Sequence, residues 1–246
     1  MSMSAFSHAA PAAGALRMHV PLARWACWPE PGDAAAQAAP RADFLEPAMR
    51  RRVGALARAA LQVAHDCAGH LPSVRIVFAS RHGELGRTTQ MLQELAEGQE
   101  LSPMAFSMSV LNAIAGVYSI ATQDRAPATA VSAAEGTFGM ALLEAGLQWA
   151  DDPASPVLLL YADEPASPVY GPVAGDLSRP LVLALLLDSQ AAESLCMEMA
   201  EAPGTATATA TATAQPEAFL PCLLGPDEAQ WTDGRQQWTW RRGPTA

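Results

Sequence analysis

The sequence predicts an α/β protein in which a mixed sheet carries helices on both faces. Three observations point there. Short, largely apolar runs recur at Val74–Ser80, Ala128–Ala133, Val157–Ala162 and Leu181–Asp188, the first of them β-branched in character. Segments with apolar residues at helical spacing separate most of them. Half of the 246 residues are apolar and only 16% are charged, which suits a sizeable core and leaves a surface short of charge. Strand and helix alternating in this way give a mostly parallel or mixed sheet covered on both sides.

Taken in order, residues 17–28 (RMHVPLARWACW) alternate in character and read as a first strand, with Pro21 implying an edge or a bulge. A Pro/Ala-rich loop follows over 29–40. Residues 47–70 read as a helix that opens on Pro47 and runs into Gly69. After the Val74–Ser80 strand come the loop RHGELGR (81–87) and a helix over 88–98. A further helix spans Ser109–Thr122, small and apolar around Ala113, Ala115 and Gly116, where a second backbone could approach closely. The Ala128–Ala133 strand then turns through small residues into a helix over 136–150. That arrangement presents one side chain, Glu135, at the tip of the turn. The domain reading is a flexible N-terminus (1–16), an α/β body (17–190), a low-complexity Thr-Ala linker (191–216) and a tail bearing Trp231, Trp238 and Trp240 (217–246).

A net charge of −10 argues against binding nucleic acid through phosphates. No basic region precedes an apolar core at the N-terminus, and the longest apolar run (Leu181–Leu187) is too short to cross a bilayer, so a cytoplasmic protein without a membrane span is expected. Cys27, Cys67, Cys196 and Cys222 are scattered, as expected of reduced, mostly buried thiols rather than disulfides or a zinc site. His65 and His70 flank Cys67 five residues apart, where metal pairs favour three or four, so no metal is expected. The GELG stretch (83–86) lacks the Gly-Lys-Ser/Thr of a nucleotide loop. No cofactor is implied. Arg50, Arg51 and Arg52 are either a solvated helix face or a docking point for an acidic partner. All fifteen cations are arginine, which removes every lysine-based mechanism.

Three ordered segments, SRHGELGRT (80–88), SMSVLNAIAG (107–116) and AVSAAEGTFG (130–139), resemble the N-terminal half of β-ketoacyl synthases. More closely, the chain looks like the short chain length factors of bacterial aryl polyene (xanthomonadin-like pigment) pathways. The resemblance covers residues 17–190 and implies half of a thiolase-like, condensing-enzyme fold. It places Glu135 where an active synthase carries its nucleophilic cysteine. It also implies a full-length ketosynthase as partner, in a heterodimer or dimer of heterodimers, and an acyl carrier protein as transient visitor. Met104, Phe106, Met108, Leu111, Asn112, Val131, Glu135 and Phe138 are the tunnel and interface candidates, although core packing also accounts for the apolar stretch from Met104 to Leu111.

Chemistry supports a silent subunit independently. A condensing enzyme needs a nucleophile to hold the acyl group, and an acid/base or oxyanion pair to drive decarboxylation. Here a carboxylate replaces the thiolate, the last histidine is His82, and no lysine exists. Glu135 itself has two open readings: a charge complementing a helix N-terminus, or a side chain that plugs the former acyl site or bonds across to a partner chain. A stand-alone homodimeric acyl-binding protein, or a malonyl-thioester decarboxylase using Glu135 as base, are the rival functions.

Overall fold

A computed structural model describes residues 14–31, 38–202, 212–225 and 228–244. The N-terminal segment through residue 13 and most of the Thr-Ala repeat lie outside the described residues. In chain order the elements are β1 (Leu16–Trp28), α1 (Pro47–Arg50), α2 (Ala55–Ala68), β2 (Arg75–Ala79), α3 (Leu85–Ala96), α4 (Pro103–Ser107), α5 (Ala113–Thr122), β3 (Ala128–Val131), α6 (Thr137–Asp151), β4 (Val157–Asp163), β5 (Leu181–Leu187), β6 (Glu193–Glu201), α7 (Gln215–Leu224), β7 (Ala229–Thr232) and β8 (Gln236–Pro244). All eight strands form one sheet in the order β3-β2-β4-β5-β1-β6-β8-β7. β2 runs parallel to β3 and β4, and the other junctions are antiparallel, so the sheet is mixed as predicted.

Period-two alternation sorts the side chains between two cores. Val77, Leu159, Tyr161, Leu183 and Leu185 face α6 and α7. Ile76, Phe78, Leu158, Leu160 and Ala184 face α2 and α5. Both faces of β4 and β5 are buried throughout, which is why these strands read as continuous apolar runs rather than alternating ones.

Several expectations change. β1 is an interior strand, not an edge, and the bulge is the alternative realised: the β5 register shifts between Leu22 and Arg24. Pro21 sits where β1 pairs only with β6, because the β5 ladder begins at Leu22, so its missing N–H costs no bond on that side. The helix expected over 47–70 is two. Gly54 adopts extended backbone between them, and a Cβ there would stand 3.2 Å from Glu84 Oε2. The expected Ser109–Thr122 helix starts at Ala113, preceded by the separate α4 that Ser102 caps.

The C-terminal third departs most. Residues 193–201, expected within a linker, form β6; the Trp-bearing tail adds β7 and β8 to the same sheet, and the helix α7 precedes them. Trp238 and Trp240 are fully buried and stacked, with centroids 6.1 Å apart. Phe138 of α6 meets Phe219 at 4.7 Å, Tyr161 at 5.9 Å and Trp240 at 6.3 Å. The tail therefore docks on α6.

Candidate functional site

The three mutually parallel strands end side by side, and the residues at or just beyond their C-terminal ends converge. Arg81 and His82 follow β2, Glu135 follows β3, and Asp163 closes β4. Between β3 and α6 the chain makes one 3-10 turn over Ala134–Gly136. Ala134 is held at φ +49°, a left-handed conformation strained for any residue with a Cβ. Thr137 latches the turn: its hydroxyl donates to the Ala134 carbonyl at 2.7 Å and accepts the Ala133 N–H at 2.9 Å. The small residues of 132–136 allow this tight path, and Glu135 projects from it.

Glu135 is one-third exposed, and its Oε1 stands 3.7 Å from the Arg81 guanidinium. Arg81 is fixed in turn by donating to the carbonyls of Ala174 and Gly175 at 2.9 and 3.0 Å. Asp163, 1% exposed, accepts the backbone N–H of Arg81, that of His82 at 3.3 Å and the Tyr161 hydroxyl at 3.3 Å. Burial raises the Asp163 carboxyl above its ordinary value despite these donors. Burial, reinforced by Asp163, pushes the Tyr161 phenol well above its own. His82 Nε2 lies 3.3 Å from Asp176 Oδ1, and Asp176 also accepts the N–H groups of Ala166 and Leu177.

The space enclosed by Arg81, Glu135, Phe138, Asp163, Asp176 and Gln215 is only about 10 Å³. That is about one water-sized probe. A pair of opposite charges thus stands in a site too small for an acyl chain.

Of the candidates, Val131 ends β3 half-buried, while Glu135 and Phe138 line the enclosed space. The others belong elsewhere. Met104 and Phe106 are on α4, 45% and 63% exposed, Asn112 is exposed at the start of α5, and Met108 and Leu111 pack partly against the α2-side core. Core packing therefore does not account for Met104 and Phe106. Sequence reasoning missed Arg81, Asp163, Asp176 and Gln215. Arg81 lay inside a quoted segment, but nothing local marks it as the partner of Glu135.

The rival motifs have other engagements. His65 stacks on Phe44 with centroids 4.2 Å apart, while His70 Nδ1 is 3.2 Å from Arg24. Among the described residues no group of three or more His, Cys, Asp or Glu is placed to hold a metal. In the GELG loop, Gly83 donates to Ser80 Oγ at 2.8 Å and Glu84 pairs with Arg87 at 3.4 Å. Arg50 pairs with Asp43, whereas Arg51 and Arg52 are exposed.

Fold and site together describe a condensing-enzyme half-domain. The family model described as beta-ketoacyl synthase, N-terminal domain, matches residues 25–241, and the chain belongs to that family. The match runs into β8, past residue 190 where the sequence resemblance ends. Among solved structures, the chain is similar to one in the complex of the ketosynthase ApeO with its chain length factor ApeC from Xenorhabdus doucetiae. There the TM-score is 0.73 at 24% identity, over 91% of this chain and 99% of that one. It is also similar to the ishigamide ketosynthase/chain length factor, with TM-score 0.52 and 17% identity over 63% of this chain and 51% of that one. A beta-ketoacyl synthase from Burkholderia phymatum STM815 gives 0.52 at 15%, over 70% and 53%. No curated protein sequence matches the chain. These likenesses establish a thiolase-like ketosynthase fold, matched whole by the first chain and by about half of each of the other two. No helix among the described residues is long and apolar enough to cross a membrane.

Proposed function

We propose that this chain is a non-catalytic, chain length factor-like subunit of a cytoplasmic condensing complex. It pairs with a full-length β-ketoacyl synthase, stabilises it and shapes the tunnel in which a polyene or fatty-acid-like chain grows. The observation that carries the reading is Glu135. A carboxylate tied to Arg81 stands at the tip of the β3–α6 turn in about 10 Å³ of space. It offers no thiolate, and the chain supplies neither a lysine nor a histidine after His82 to drive decarboxylation.

The surface beside this turn suits a partner. β3 is an edge of the sheet, so one side of its backbone is open to pairing. On α5, Asn112, Gly116 and Ile120 are spaced by four and all exposed, with Ile120 at 66%. A Cβ added to Gly116 meets nothing within 4 Å, so another backbone can come close there. On the other face α6 exposes Met140 and Leu147. A ketosynthase strand added to β3 and covered by these side chains would make a water-excluding interface. Met104 and Phe106, exposed on α4, are the side chains available to line a shared tunnel. Arg51 and Arg52 offer an acidic acyl carrier protein a transient contact.

Co-expression with the ketosynthase of the same operon, followed by size-exclusion chromatography with light scattering, tests this. A one-to-one complex supports it. A stable homodimer that ignores the ketosynthase refutes it and favours the stand-alone acyl-binding protein. Turnover of a malonyl thioester by the isolated chain would instead establish a decarboxylase.

A further inference from the structure

We infer that the first turn of α7 is a plug that keeps acyl groups out of this subunit, with Gln215 as the residue that seats it. The inference rests on the proposed partner reading and adds where the growing chain is not. Gln215 is 1% exposed, an unusual place for a carboxamide. Its Oε1 accepts the N–H of Gly139 at 2.8 Å, across 76 residues of sequence. Gly139 is the third residue of α6, where a backbone N–H has no acceptor within its own helix, and Gly136 at the cap position has no side chain to supply one. Gln215 therefore caps α6 from outside.

The carboxamide also lies hard against that helix. A Cβ on Gly139 would stand 2.9 Å from Gln215 Nε2, so glycine is what admits it. Nε2 is buried with no hydrogen-bond partner, so the amide is not there for full satisfaction of its polar atoms. The turn is pinned on its other side: Glu217 accepts the N–H of Ser178 at 3.0 Å and its hydroxyl. Ser178 belongs to the same loop whose Ala174 and Gly175 carbonyls hold Arg81. Loop, arginine, Glu135 and α7 thus close over the start of α6 and leave about 10 Å³, the room of about one water-sized probe. An acyl group at position 135 finds no interior space along α6 unless α7 withdraws. The growing chain must occupy the partner's cavity, bounded by this subunit's outer surface.

Two measurements on the full chain, in complex with the ketosynthase where one forms, test this. The first is alkylation by iodoacetamide of the thiol introduced by Glu135→Cys, with and without Gln215→Ala, read by peptide mass spectrometry. Removing the carboxamide should speed modification at position 135 by about tenfold or more while Cys196 in the same molecules is unaffected. Rates within about twofold of each other would overturn the plug. The second needs no change at Glu135: amide hydrogen exchange of Gly139. Exchange should be at least about tenfold faster in Gln215→Ala than in the unaltered chain, unchanged at Leu142, and restored to slow exchange by Gln215→Glu, which keeps an acceptor. Equal exchange in the unaltered chain and Gln215→Ala refutes the plug even if Glu135→Cys fails to fold. Both readouts concern this chain alone, so an absent complex counts against the partner reading and unchanged rates against the plug.

Discussion

Two glycine-to-alanine substitutions on helices should move stability in opposite directions, and the structure says why. At Gly139 the new methyl would stand 2.9 Å from Trp238 Cε3 and Cζ3 as well as from the Gln215 amide. The amide could swing away, but Trp238 is fully buried and stacked on Trp240, so its ring has little room to yield. Overpacking of this kind costs about 1–3 kcal/mol. The gain in helix propensity, at most about 1 kcal/mol, is reduced because Gly139 sits in the first turn. The net expectation is a loss of about 1–2 kcal/mol, hence a Tm lower by about 2–8 °C for a chain of this size. At Gly116 nothing lies within 4 Å of the added atom, so the propensity gain stands alone and Tm should rise by up to about 4 °C. Thermal unfolding followed by circular dichroism reads both. If Gly139→Ala is as stable as Gly116→Ala, the packing assigned to α7 and β8 against α6 is wrong.

Other outcomes follow from the same geometry. Ile120→Asp, at an exposed position of α5, should leave the Tm of the isolated chain within about 2 °C yet abolish co-purification with the proposed ketosynthase partner; retained assembly would move the interface elsewhere. Glu135→Gln should change stability by less than about 1 kcal/mol, because the pair with Arg81 is long and partly exposed. Any change in product length would then report on the proposed tunnel and not on folding. Asp163 has its folded pKa raised by burial, so its contribution is fully present below the unfolded value and is lost as pH rises through the folded one. Asp163→Asn should accordingly compare better with the parent as pH rises from about 4 to 7 in urea titrations; a constant difference would refute a shifted carboxyl. Burial pushes the Cys67 thiol up to about 12 and that of Cys222 up to about 11, so a thiol reagent at neutral pH should leave both intact in the folded chain. Their rapid modification would contradict the two cores.

The parts of the fold visible in the sequence are those where one signal dominates. β4 and β5, buried on both faces, need apolar residues at every position, and a run such as LVLALLL announces itself. β6 reads ESLCMEMAE, in which only Leu195 and Met197 are fully buried, and methionine, alanine and glutamate are weak strand formers next to a repetitive segment. α7 hides behind Pro221, an internal proline that tertiary packing of Phe219 and Cys222 overrides. The site was half legible. Glu135 could be found because its local turn chemistry, small residues between a strand and a helix, presents one side chain. Arg81, Asp163 and Gln215 could not, since only the parallel pairing of β2, β3 and β4 and the return of α7 bring them to it. Met104 and Phe106 look like core residues by composition, and only the packed structure shows them left outside.

The position of β1 bears on how the molecule can be made. It precedes every other strand among the described residues, yet its partners are Leu181–Leu187 and Glu193–Glu201, with His19 opposite Cys196. Everything between Trp28 and Leu181 must be synthesised before the middle of the sheet can close. Until then β1 waits with both edges unpaired, and local contacts cannot compensate for a loop of that length. Such a polypeptide folds slowly and exposes apolar strands while it does so. Translation beside the ketosynthase proposed as its partner, or under the care of a chaperone, would shorten that interval.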